Sequence, residues 1–182
     1  MSAPTVGSLS GALAAAVISG TGPALQTSLR LLANCFKEQV LRDWVLQNRE
    51  LLLDGFAGCY SAGSAGATKA VRLSLATLLL NYAVAAVEQP GSGSNSDEAA
   101  MQLLSGLEQL LGALPAEEGD AAVRAVLALG NLLIAGGSDM VNLANELGLD
   151  GQVSRFGAAA ASLGSNAAQL GGVVQEVQQL LR

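Results

Sequence analysis

An all-α fold built as a helical solenoid is what this sequence predicts, and three observations predict it. Apolar residues recur at three- and four-residue spacing between glycine-, proline- and serine-rich breaks. No segment sustains two-residue alternation, and no Asn-Gly or Asp-Gly turn joins two apolar runs. The third is composition. Half of the 182 residues are hydrophobic (51%), yet aromatics supply only 3% and glycine contributes 22 residues. A core of leucine, alanine and valine suits helices packed closely through small side chains, and is poor material for a sandwich or barrel.

The breaks divide the chain in order. Residues 1–22 are an alanine-rich helix or partly ordered segment, and residues 23–182 form the main domain. GTGP at 20–23 precedes TSLRLLANCF at 27–36, whose stripe Leu29, Leu32, Phe36 and Val40 is helical in period. AGSAG at 62–66 separates this region from SLATLLLNYA at 74–83. The strongest break is QPGSGSNSDE at 89–98, where Asp97 and Glu98 stand at the positive end of a following helix. That helix carries Leu103, Leu104, Leu107, Leu110, Leu111 and Leu114 as one wide stripe. PAEEGD at 115–120 is a loop before RAVLALGNLL at 124–133. AGGSD at 135–139 is a short turn with Ser138 or Asp139 as N-cap. LGLDG at 147–151 and LGSN at 163–166 are the last breaks. Eight to ten helices are expected.

A repeat underlies these elements. Three apolar helices each carry an asparagine two to three residues before their apparent ends: Asn34, Asn81 and Asn131, spaced 47 and 50 residues apart. Armadillo and HEAT repeats have periods of roughly 40–47 residues, and loops add a few. The expected architecture is therefore a right-handed armadillo/HEAT-like solenoid of three to four repeats, in which each helix group buries its face only against its neighbours. Residues four and seven before each asparagine share its side of the helix. They are Arg30 and Thr27, Thr77 and Ser74, and Leu127 and Arg124. Side by side, the three helices present a polar row with two arginines, which would be the floor of a concave groove. Arginine suits carboxylates, including a peptide's C-terminus. The plainer readings are an asparagine that bonds a neighbouring backbone to hold repeat to repeat, and an arginine in an ordinary surface ion pair.

Several chemistries are excluded or unsupported. The chain has no histidine, which removes Ser-His-Asp and Cys-His catalysis and the HExxH zinc site. Two cysteines, Cys35 and Cys59, cannot build a zinc site or a disulfide framework, and a reduced intracellular compartment, cytoplasmic or nuclear, is the simpler expectation. Cys35 lies on an apolar helix and is expected to be a buried, inert thiol. Glu117 and Glu118 stand side by side in a loop and make no acid/base pair. No GxxxxGK[ST] or GxGxxG cradle occurs. Net charge is −6 with no basic run, a poor footprint for nucleic acid. No apolar run reaches the ~18 residues of a membrane span. Six of the nine bases precede residue 73, and the stretch 97–120 is acidic, so the molecule is electrically polar along its length. Trp44 and Tyr60 are expected in the core, while Tyr82, next to Asn81, is placed at the groove edge.

LRLLANCF, QNRELLL at 47–53, LATLLLNYAV at 75–84, VLALGNLL at 126–133 and NLANELGLDGQV at 142–153 occur in that order. Together they resemble the PUL domain, the C-terminal domain of the phospholipase-activating protein family. The resemblance covers residues 25–156, and LGGVVQEVQQLLR at the C-terminus is compatible with it. It implies an armadillo-like fold and binding of the acidic C-terminal tail of the AAA ATPase valosin-containing protein through a basic groove, in ubiquitin-dependent protein handling. Arg124, ahead of the ALGN segment, is matched to one basic groove residue of the family and Arg30 to another. Leu127 stands where the first repeat has Arg30, so the groove is not uniformly basic.

The expected function is a peptide-binding adaptor, not an enzyme, with Arg30, Asn34, Thr77, Asn81, Tyr82, Arg124 and Asn131 as the binding residues. No cofactor, metal, nucleic acid or membrane is expected, and the isolated domain is expected to be a monomer. The second reading is a structural helical module. It would mediate oligomerisation or support a thioredoxin-like or desumoylating-peptidase-like catalytic domain in a larger parent chain.

Overall fold

The structure, a computed structural model, describes residues 23–47, 68–88, 97–160 and 167–182. The breaks expected at 62–66 and 163–166, with Cys59 and Tyr60, lie outside the described residues, as do residues 1–22. The described residues form seven helices and no strand, an all-α arrangement. In chain order they are α1 (Pro23–Cys35), α2 (Gln39–Gln47), α3 (Lys69–Glu88), α4 (Asp97–Ala113), α5 (Gly119–Glu146), α6 (Leu149–Ala160) and α7 (Ala167–Leu180).

The local chemistry explains most boundaries. Pro23 opens α1, where its missing N–H costs nothing and its fixed φ fits the first helical position. The helix closes through turn bonds from Lys37 N–H to Asn34 O (3.1 Å) and from Glu38 N–H to Cys35 O (3.3 Å). That early stop corrects the stripe read from the sequence. Leu29 and Leu32 are buried and Phe36 packs against the core, but Val40 falls on the next helix and is 80% exposed. Asp97 opens α4. The C-terminal carbonyls of α4 are met from outside: Arg155 Nη2 donates to Leu111 O, and its guanidinium lies 4.7 Å over the Phe156 ring. The turn expected at 135–139 is a kink within α5. Gly137 sits at φ 59°, ψ −145°, a conformation that side-chain-bearing residues rarely adopt. Gly148, at φ 72°, makes the turn between α5 and α6.

Helices neighbour one another both in steps of two and in consecutive pairs. α1 packs on α3, α3 along α5, and α5 on α7, while α4 packs on α5 and α6, and α6 on α7. Asn81 and Asn131 lie farther from their helix ends than the sequence implied, because α3 runs on to Glu88 and α5 continues to its kink, whereas Asn34 stands one residue before the end of α1. The leucine stripe of α4 is buried throughout, joined by Leu75, Leu78, Leu79, Val126, Leu129 and Phe156. Tyr82 also belongs to this core. It is 2% exposed, meets Phe36 edge-on at 5.0 Å and donates its hydroxyl to Val45 O at 3.4 Å. Placing it at the groove edge was wrong, because a phenol that large on a packed helix stabilises more by burial than at the rim.

The α5 helix is long and apolar enough by composition to cross a membrane, but 56% of its qualifying 18-residue window is buried inside the protein, as befits a core helix. Its glycines let neighbours approach. A Cβ on Gly130 would stand 3.0 Å from Val177 Cγ2 of α7. Gly130→Leu is therefore expected to lower stability by about 1–3 kcal/mol through overpacking, read as a lower urea midpoint. An unchanged midpoint would show that α5 and α7 are not in close contact.

Candidate functional site

Where α1, α3 and α5 run side by side, a cleft of about 400 Å³ opens, lined by Gln26, Arg30, Ala33, Asn34, Ala70, Leu73, Ser74, Thr77 and Arg124. Each helix brings its polar stripe to this face because its apolar stripe is spent on the core. Arg30 and Asn34 are exposed one turn apart on α1. Among the described residues Arg30 makes no ion pair. Thr77 returns its hydroxyl to Leu73 O on its own helix at 2.8 Å. The same Thr77 Oγ1 accepts from Arg124 Nη1, which bridges α3 to α5 across 47 residues of chain. The sequence register set Arg124 level with Ser74. The bond places it one turn further along α3.

Ion pairing stabilises the frame around the cleft. Arg72 Nε donates to Glu118 Oε2 at 2.9 Å, and its Nη2 donates to Glu118 Oε1. Both side chains are largely buried, and the pair fixes the start of α3 against the start of α5. The Glu118 hydrogen bonds raise the Arg72 pKa above the ordinary guanidinium value, against the opposing effect of burial. Below that range the folded and unfolded chains both carry the charge, so this group adds no pH dependence near neutrality. At the other end of α3, Arg42 Nη1 meets Glu88 Oε2 at 2.7 Å.

The structure brings together Arg30, Asn34, Thr77 and Arg124 of the seven residues expected to bind. Asn81 donates its amide to Ala33 O at 2.9 Å and so ties α3 to α1, the cross-repeat role left open by the sequence. Asn131 donates to Leu127 O of its own helix at 2.9 Å and lies outside the cleft lining. Tyr82 is in the core, as described above. Sequence reasoning missed Gln26, which lies one turn before Arg30, and its spacing from Arg30 and Asn34 could have found it. It also missed the Arg72–Glu118 pair, for which no local signal exists. Cys35 is buried, and burial pushes its thiol pKa up, which keeps it protonated and unreactive near neutral pH.

The cleft has the chemistry of a binding surface. Its two guanidinium groups can hold carboxylates, and its amides and hydroxyls can bond peptide groups. Helices that expose such a row on one shared face define a protein-interaction module. The chain belongs to the PUL domain family, which matches residues 5–176 and so covers nearly the whole chain. The match extends past both ends of the 25–156 stretch on which the sequence resemblance rests.

Proposed function

We propose that this protein is an adaptor that binds the acidic C-terminal tail of a valosin-containing-protein-type AAA ATPase in the cleft between α1, α3 and α5, within ubiquitin-dependent protein handling. The helices are read as armadillo-like repeats, with α1, α3 and α5 at equivalent positions. The carrying observation is the convergence of Arg30 and Arg124, from helices 94 residues apart in the chain, on one polar cleft. The net charge of the whole chain is −6, so an acidic ligand gains from this site only through local complementarity. Family membership supports a protein partner, and the basic cleft supports an acidic one. The mechanism is binding, with no bond made or broken.

Isothermal titration with a ten-residue acidic peptide bearing a free C-terminus tests the reading. Micromolar binding is expected, weakening about tenfold between 50 and 500 mM salt as the charges are screened. A folded protein that ignores the peptide at both salt concentrations would refute it.

A further inference from the structure

The cleft continues into a surface of different character. On α3 the residues left uncovered by the core follow one stripe through Thr77 and Leu80 to Val84. On α5 the corresponding stripe runs through Arg124, Leu127 and Asn131 to Ile134. The two helices pack side by side, and the Arg124–Thr77 bond sets their register. Seven residues along α3 and ten along α5 the stripes reach exposed aliphatic side chains, and Val87, also exposed, continues the α3 stripe level with Ile134. Val84 is 37% exposed and Ile134 is 62% exposed. Leu80 and Leu127, between them and the polar end, are half-buried against the core, with Asn81 and Asn131 beside them. An aliphatic side chain as open as Ile134, at the end of a polar row, gains by covering.

We propose that Val84 and Ile134 form an apolar shelf for an aliphatic or aromatic side chain of the same acidic peptide. The proposal rests on the peptide-binding reading above and adds a sequence rule to it. At 1.5 Å of rise per residue, the shelf stands about 10–15 Å from the Arg124–Thr77 contact. An extended peptide advances about 3.3–3.6 Å per residue. A carboxylate held by Arg30 and Arg124 therefore sets an apolar side chain on the shelf when it lies three to five residues away. The occupant is an acidic segment with one apolar residue at that spacing. Charge complementarity at one end and apolar cover at the other argue for it.

The test uses ten-residue Asp/Ser peptides with a free C-terminus. One lacks leucine, and the others carry a single leucine at successive positions. Leucine three to five residues before the terminus is expected to tighten binding about tenfold, the effect of burying most of one aliphatic side chain. Other positions are expected to leave affinity within twofold. Ile134→Ser and Val84→Ser, both at exposed sites, should each erase most of the gain and leave the leucine-free peptide unaffected. Binding of the leucine-free peptide that no leucine improves, or a gain that survives both variants, would overturn the shelf alone. Self-association that Ile134→Ser abolishes without changing the peptide series would also overturn it, by assigning the shelf to a second copy of the chain. No binding of any peptide would sink the underlying reading and the shelf with it.

Discussion

The Arg30→Glu/Arg124→Glu variant is expected to lose at least about a hundredfold in affinity for an acidic peptide while keeping its helical circular dichroism. Hydrogen bonds to charged groups contribute about 1.5–3 kcal/mol each. Two such interactions exceed a hundredfold before any repulsion from the new glutamates is counted. The fold should tolerate the change. Arg30 is exposed, and Arg124's bond to Thr77 leaves behind a hydroxyl that still donates to Leu73 O. The single variants add resolution. If both arginines hold one carboxylate, their effects will be less than additive; if they hold separate groups, the effects will sum. Unchanged affinity in the double variant would remove the cleft from the binding site and favour the structural-module reading.

Tyr82 gives the second large effect, and on stability. Tyr82→Ala empties a fully buried site between Phe36, α2 and the core. Aromatic-to-alanine changes of this kind cost about 3–5 kcal/mol. A domain of this size has about 5–15 kcal/mol in total, so the urea midpoint should fall by about a fifth or more. Tyr82→Phe keeps the ring and loses only a 3.4 Å hydroxyl bond to Val45 O, so it should cost about 1 kcal/mol or less. Peptide affinity of the folded Tyr82→Phe protein should equal that of the wild type. A groove residue would behave in the opposite way, with stability intact and affinity lost. The pair of variants therefore separates the core role from the binding role that proximity to Asn81 suggested.

The residues that misled the sequence reading share a cause. Val40 continues a helical stripe on paper, but the chain turns after Cys35 and starts a new helix, so the stripe's phase is lost. Tyr82 follows Asn81, half-buried where α3 meets α1, but a single residue step rotates a side chain about 100° around the helix, enough to carry it into the core. Asn34, Asn81 and Asn131 read as one equivalent row. Asn34 lines the cleft, Asn81 reaches α1 and Asn131 folds back on its own helix. An asparagine amide bonds whichever acceptor is nearest, and the nearest acceptor is a tertiary fact.

The sequence by itself determined that the chain is helical, where several helices begin and break, and that residues 30, 34, 77 and 124 lie on the polar sides of their helices. Those properties follow from periodicity, caps and glycine placement, all local in the chain. It also carried the family resemblance, through segments spread over more than a hundred residues. Only the tertiary structure decided which polar stripes share a face, that Arg124 meets Thr77 and not the level of Ser74, that Arg72 is committed to Glu118, and that aliphatic side chains stay exposed beyond the polar row. The helices fix side-chain direction at intervals of 3.6 residues, but the axial slide and rotation of one helix on the next come from core packing. A shift of one turn changes every contact between neighbours without altering the pattern along the chain.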